Sequence, residues 1–505
     1  MSDALFWSTF LLLCASTVWT IWRTRGVVSV AVLAPLVWIV LMLVPVTLRP
    51  LASVTDVFPE GFIGTPRDLM YVGLAISNVA FIAFQLVFLS HWYKTLQVRL
   101  VEFFAGDDGK NNSDSDRLLR TWVIGLAIVA GALALIHLAL MPRVPAWDLI
   151  AGFTDPLQPN YDREAADKFL PVPTLVRYVF DWNQGIVFPI LFTATVLMRW
   201  RPMAIVVGVL GFLYMISTLE KFPSLLFVIS PFIAIAVRDS KPIWSRLVLG
   251  GLLVSLLGPL AINQAPGIST SIHEALHATP PASATPTYDP SLTTPVPGCE
   301  AKPTVPAPFD WRQLPRSIAD LVVRRIGLVP AEVTYGWFAY FPAHGPYLKG
   351  SGWEPWKVLS PGYRNPANLV GLFMYCGHQI TLPTVSAYGS FVADGWAEFG
   401  YVGVGIACLG VVLFGLLLEL MRGFTARAFC LACYGPTVLL YATLPPRAGL
   451  LATIVSSGLW LAPVLCVLFL VTQRFGRRLL RFTSPPRGEV GRSPGGESPL
   501  PKAAR

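Results

Sequence analysis

The chain has 505 residues, of which 54% are hydrophobic and 13% charged, with a formal net charge of +9 and a mean hydropathy of +0.58. Such a balance lies outside the range of soluble globular domains. The positive charge is assigned to membrane topology and contact with anionic lipid, and no nucleic-acid partner is expected.

Apolar runs long enough to cross ~30 Å of hydrocarbon as helix recur along the chain, about eleven in all. They run from Leu5 to Trp22, Val27 to Leu48, Leu69 to Trp92, Thr121 to Met141, Tyr178 to Met198, Met203 to Ser217, Phe222 to Val237, Trp244 to Ile262, Tyr401 to Met421, Arg427 to Leu444, and Gly449 to Thr472. Unbroken apolar runs call for helices, because a membrane barrel would alternate every second residue. The expected fold class is therefore an all-α polytopic membrane protein with one large external loop between helices 8 and 9. The expected organisation is helices 1 to 8 over residues 1–262, the loop over 263–384, helices 9 to 11 over 385–475, and a disordered basic tail over 476–505.

The first run carries Asp3 and no basic segment before it, so it reads as a retained helix and not as a cleaved leader. Between Val101 and Arg120 a polar loop is expected. Its Asp114 and Asp116 form a DxD pair, but no αβ domain surrounds them to bind a nucleotide sugar. Further on, the short spans Met203 to Ser217 and Phe222 to Val237 meet at Glu220 and Lys221. Short spans would leave that pair recessed below the outer surface, which makes Lys221 a phosphate candidate beside the plainer reading of a turn salt bridge.

The long polar segment from Asn263 to Thr384 is where function is sought. His273, Glu274 and His277 spell HExxH, a spacing that places two imidazoles on one helical face for zinc. Thr279, Pro280 and Pro281 follow at once, which leaves little helix to carry the site, so a zinc metalloprotease stays a remote reading and no metal is assigned. Residues 279–308 are dense in Pro, Thr and Ala and read as an extended linker. Residues 315–330 then read as an amphipathic helix with Ile318, Leu321, Val322, Ile326 and Val329 on its apolar face. Arg325 sits at the margin of that face. There it either snorkels to lipid phosphate or clamps the phosphates of a lipid-linked substrate.

Over 331–364 come Tyr335, Trp337, Phe338, Tyr340, Phe341, Tyr347, Trp353, Trp356 and Tyr363, interleaved with His344, Lys349, Lys357 and Arg364. Flat rings suit the apolar face of a sugar and adjacent cations suit hydroxyls or phosphates; packing within the loop is the plainer alternative. Before the ninth span, Asp394 and Glu398 stand four residues apart, which stacks two carboxylates on one helical face. Crowded acids at low dielectric raise one pKa toward neutrality, the condition for a general base. A hydrogen-bonded helix start is the competing reading.

Cys299 and Cys376 lie in the external loop, where a disulfide is permitted. Cys430 and Cys433 resemble a CxxC pair but read as small packing residues in an apolar span. Lys and Arg collect in one set of alternate loops, among them Arg23, Arg25, Lys94, Arg99, Arg199, Arg201, Arg238, Arg422 and Arg474. That bias places the N-terminus and the long loop outside and the C-terminus in the cytoplasm.

The order of these features resembles the oligosaccharide repeat unit polymerases, the Wzy-like enzymes of O-antigen and capsule assembly. The likeness rests on Lys221 before Phe222 and Pro223, on the series Arg325, Pro330, Tyr340, Phe341, Pro342 and Gly350, and on Asp394, Trp396, Phe399, Gly400 and Gly403. It covers the second half of the chain and the overall topology. The resemblance implies a GT-C-like glycosyltransferase of the bacterial inner membrane, acting at its periplasmic face without a cofactor. It also implies undecaprenyl-pyrophosphate-linked glycans as substrates, with a chain-length regulator protein as a partner alongside membrane lipids. In that reading Arg325, with Lys221 and Arg364, holds pyrophosphate, Asp394 or Glu398 is the base, and Trp337, Tyr340, Trp353 and His344 contact substrate. His378 as base would bring the O-antigen ligases nearer, and a flippase for the same lipid-linked glycans is the third class. A flippase would need polar groups through the middle of several spans, whereas the sequence places them at the outer surface.

Overall fold

The computed structural model describes residues 2–25, 28–48, 65–105, 112–141, 144, 170, 172–218, 221–239, 329–353, 365–375, 387–443 and 448–483. Among these every regular element is helical. Five of the described helices are long and apolar enough to cross a bilayer: Ser2–Arg23, Val30–Thr47, Pro66–Leu89, Arg117–Leu140 and Tyr401–Arg422. Arg201–Ser217, Leu226–Arg238, Ala428–Thr443 and Leu461–Phe475 are apolar but shorter. The described residues are thus all-helical, and their apolar helices mark a membrane-embedded protein. The expected eighth span, Trp244 to Ile262, and the linker over 279–308 lie outside the described residues.

Helix α1 (Ser2–Arg23) packs along α3 (Thr65–Leu89), and both contact α2, which starts as Val30–Trp38 and continues through a π turn, Ile39–Leu43, into Val44–Leu48. A polar seam holds this trio together. Asn78 accepts from Trp38 Nε1 at 3.2 Å and donates to Thr9 at 3.4 Å, while Gln85 donates to Thr17 at 3.1 Å and to the Ala31 carbonyl at 3.3 Å. Hydrogen bonds between helices substitute here for the hydrophobic drive that lipid cannot supply. The seam corrects the expectation that polar groups avoid the middle of the spans.

The expected polar loop over 101–120 is helical at its described residues, 101–105 and 112–120. Ser90 ends α3, and α4 (His91–Ala105) folds across the ends of later helices, with Tyr93 donating to the Leu416 carbonyl at 2.6 Å and Gln97 to the Glu419 carbonyl at 2.8 Å. Its last carbonyls, on Phe103 and Phe104, accept from Arg474 and Arg427, which satisfies groups that a helix end leaves without partners. The next helix, α5 (Asn112–Leu140), starts well before its apolar run, so Asp114 and Asp116 stand in its first turns and not in a loop.

Helix α6 (Thr174–Trp182) passes through a π turn, Asn183–Val187, into α7 (Phe188–Leu197). That turn buries Asn183 and Gln184. Helices α8 (Arg201–Ser217) and α9 (Lys221–Asp239) form the expected hairpin, and α9 packs against α7 and α14 (Ala428–Thr443). The α9 and α14 backbones approach closely, with Gly435 against the Ser230 carbonyl.

Three short helices build one end of the bundle: α10 (Val329–Tyr340), α11 (Pro366–Tyr375) and α12 (Phe391–Phe399), the last followed at once by the long α13 (Tyr401–Arg422). Helix α10 lies against α3, α11 and α12 and reaches the far end of α2. Pro330 opens this helix near its first residue, where a missing N–H costs nothing, and nine of its residues are buried. The final apolar run is not one span. A π turn, Ala452–Ser456, ends at Gly458 with φ +71, where Trp182 Nε1 donates to the Val455 carbonyl, before α15 (Leu461–Thr483) begins. Hydropathy does not register such a break because Ile454, Val455, Leu459 and Trp460 keep the run apolar across it.

Candidate functional site

The site is organised by α12. Ser390 caps it, its hydroxyl accepting from the Ala393 N–H at 3.3 Å, and this fixes Asp394 in the first turn, where the helix dipole favours a carboxylate. At the other end Gly400 adopts φ 60 and ψ −140, a conformation that essentially only glycine reaches. The chain reverses there, and α12 folds back against α13 as a separate helix.

Asp394 lines a small pocket of about 30 Å³ with Trp337, Gly352, Asn365, Pro366, Ala367, Tyr388, Gly389, Gly449 and Ala452. That volume suits one water-sized group, such as a hydroxyl, and not a whole sugar ring. The carboxylate rests against Gly449: an ideal Cβ there would stand 2.6 Å from Asp394 Cγ. Residues 337 and 352, 365–367, 388, 389 and 394, and 449 and 452 therefore converge.

Glu398, one turn along the same helix, goes elsewhere. It is fully buried, and its Oε2 accepts the Gly350 N–H at 2.6 Å. Burial pushes its carboxyl up to about 7, and the backbone N–H groups of Gly350 and Gly352 oppose that rise only in part. Desolvation, and not crowding by Asp394, is the cause. The two acids share a helix, but only Asp394 faces the pocket.

The aromatic series divides between core and surface. Tyr335, Phe338 and Phe341 are buried, and Phe338 stacks on Trp396 with ring centroids 4.8 Å apart. Trp337 is also buried, donates from Nε1 to the Ala387 carbonyl at 2.8 Å, and reaches the pocket with one edge. Tyr340 is half-buried and meets Phe341 and Phe373 edge-on; His344 is exposed with its ring 4.8 Å from Phe373; Trp353 is half-buried against Phe399. Tyr340, His344 and Trp353 do not line the Asp394 pocket.

Lys221 is the first residue of α9, and its side chain lies outside the described residues, as do Arg325, Arg364, His378, the HExxH stretch and the Cys299 and Cys376 pair. Arg364 immediately precedes the pocket residue Asn365 in sequence. Sequence reasoning missed Asn365, Tyr388 and Gly449. Asn365 left a faint signal, an Asn ahead of Pro366 whose side chain accepts from the Ala367 N–H at 3.0 Å, in the manner of a helix start. Gly449 had none, since its part is to leave room.

The fold and pocket together define the class: an all-helical, membrane-embedded protein with an acid-bearing hollow at one end of its bundle. No family model, no curated protein and no solved structure matches the chain.

Proposed function

We propose that this protein polymerises oligosaccharide repeat units carried on undecaprenyl pyrophosphate, with Asp394 as the general base, at the periplasmic face of a bacterial inner membrane. The observation that carries this reading is the placement of Asp394 in a hollow walled by a tryptophan edge, an asparagine and a tyrosine. There its carboxylate borders a space that fits the hydroxyl of an incoming sugar.

In the proposed reaction Asp394 takes the proton of the acceptor hydroxyl as its oxygen attacks the anomeric carbon of the donor glycan. The bond from that carbon to the diphosphate oxygen breaks, and the lipid diphosphate leaves. Cations offset the negative charge that grows on the leaving group. Arg325, Lys221 and Arg364 remain the proposed groups for that role. Asn365 and Tyr388 join Trp337 as candidates for contact with the acceptor.

Deleting the gene should cause lipid-linked single repeats to accumulate on the periplasmic side, and Asp394→Asn or Arg325→Ala at normal expression should reproduce that state. Normal polymer in the Asp394→Asn strain would sink the proposal. Accumulation on the cytoplasmic side would point to a flippase instead.

A further inference from the structure

We infer that Glu398 is a positioning residue, which pins the turn over residues 348–352 to the end of α12 so that the turn supplies one wall of the Asp394 pocket. The catalytic part of this inference rests on the proposed function; the pinning does not.

A helix leaves its last carbonyls without intrahelical donors. At the end of α12 the turn provides them: the Leu348 N–H donates to the Ala397 carbonyl and the Lys349 N–H to the Glu398 carbonyl, both at 2.9 Å. The Glu398 side chain then adds the third and shortest bond, from the Gly350 N–H. Its other oxygen lies against Gly352, where any Cβ would overlap it. Gly352 is itself a pocket residue. One helical turn of α12 therefore presents an acid to the pocket, and the next holds another part of its lining.

The arrangement runs against local preference in two ways. Lys349 has φ +52, a left-handed conformation that a side chain adopts only where its surroundings impose it. A carboxyl near the negative end of a helix dipole, and buried, is penalised twice. An apolar residue at 398 would avoid both penalties but would abandon the Gly350 N–H. The carboxyl is retained where its Oε2 accepts the Gly350 N–H of the turn.

Hydrogen exchange of the full-length protein in detergent micelles, read at the amides of residues 348–350, tests the pinning without any transfer assay. In Glu398→Ala those amides should lose protection by about tenfold or more, while amides of α10 keep theirs. Glu398→Gln, whose side-chain oxygen accepts the same N–H, should retain most of it. If Glu398→Ala does not fold, Glu398→Asp, one methylene shorter, carries the same expectation. Unchanged exchange at 348–350 in the shortened variants overturns the inference. In transfer assays with lipid-linked repeats, Glu398→Ala should raise KM for the acceptor more than it lowers kcat, and Glu398→Gln should restore KM. Loss of turnover in Glu398→Gln as deep as in Asp394→Asn, with the turn still protected, would make Glu398 a catalytic residue and also overturn the inference. If even the wild type transfers nothing, the exchange result still decides the pinning, and only the polymerase reading fails.

Discussion

Gly395 and Gly403 meet backbone to backbone across the reversal at Gly400. An ideal Cβ on Gly395 would stand 2.5 Å from the Gly403 carbonyl oxygen, so the contact between α12 and α13 has no room for a side chain. Neither backbone can yield cheaply, because each belongs to a helix. Gly395→Ala and Gly403→Ala should each cost about 1 to 3 kcal/mol through overpacking, and Gly400→Ala a similar ~1 to 3 kcal/mol through its backbone conformation. Thermal unfolding in detergent measures this. A midpoint unchanged in all three variants would show that α12 does not fold back as described.

Asp394→Asn keeps the shape of the side chain and removes the base. Turnover of lipid-linked repeats should fall by about 10² to 10⁴, with the unfolding midpoint retained. Gly449→Ala should act on the same carboxylate from the other side by pushing it from its seat, and is expected to reduce turnover with little change in expression. Equal turnover in the wild type and both variants would remove Asp394 from the chemistry.

Glu398 gives stability a pH dependence whose sign follows from burial. Its carboxyl titrates near 7 in the fold against an ordinary value of 4.5, so the folded state holds the proton more tightly than the unfolded chain. This contribution to stability is full below about 4.5, declines as pH rises to about 7, and is gone above that. The unfolding midpoint of the wild type should therefore fall between pH 5 and pH 8 by more than that of Glu398→Gln. Parallel curves for the two proteins would contradict the assignment.

At the opposite end of the bundle Glu419 is fully buried. It accepts the Ala31 N–H at 3.0 Å and the Tyr434 hydroxyl at 3.2 Å, and pairs with Arg422 at 3.5 Å. The carboxylate thereby caps the start of α2 from α13, because Ser29 makes no side-chain cap of its own. Glu419→Ala strands all three partners and should destabilise by about 3 kcal/mol or more. Glu419→Gln, which keeps an acceptor but loses the charge opposite Arg422, should fall between. Chemical denaturation in mixed micelles ranks the three proteins, and a stable alanine variant would refute the capping role.

Helix class and membrane embedding were legible in the sequence because they depend on the period and length of apolar runs, which are local properties. The α8 and α9 hairpin and the long α13 fall close to where hydropathy puts them. The acid pair before α13 was legible as a pair for the same reason, since a spacing of four is set by the helix itself.

Tertiary structure decided what those acids face. Asp394 and Glu398 read alike in sequence, yet one borders a hollow completed by Gly449 and Asn365 while the other is sealed beneath Gly350 and Gly352. Those neighbours come from remote stretches of chain, and their contribution is an absent side chain or a backbone N–H, neither of which leaves a pattern in residue type. The buried aromatics of α10, the break at Gly458 and the Glu419 cap share that origin. Apolar periodicity reports that a residue is removed from water; only the packed chain determines what removes it.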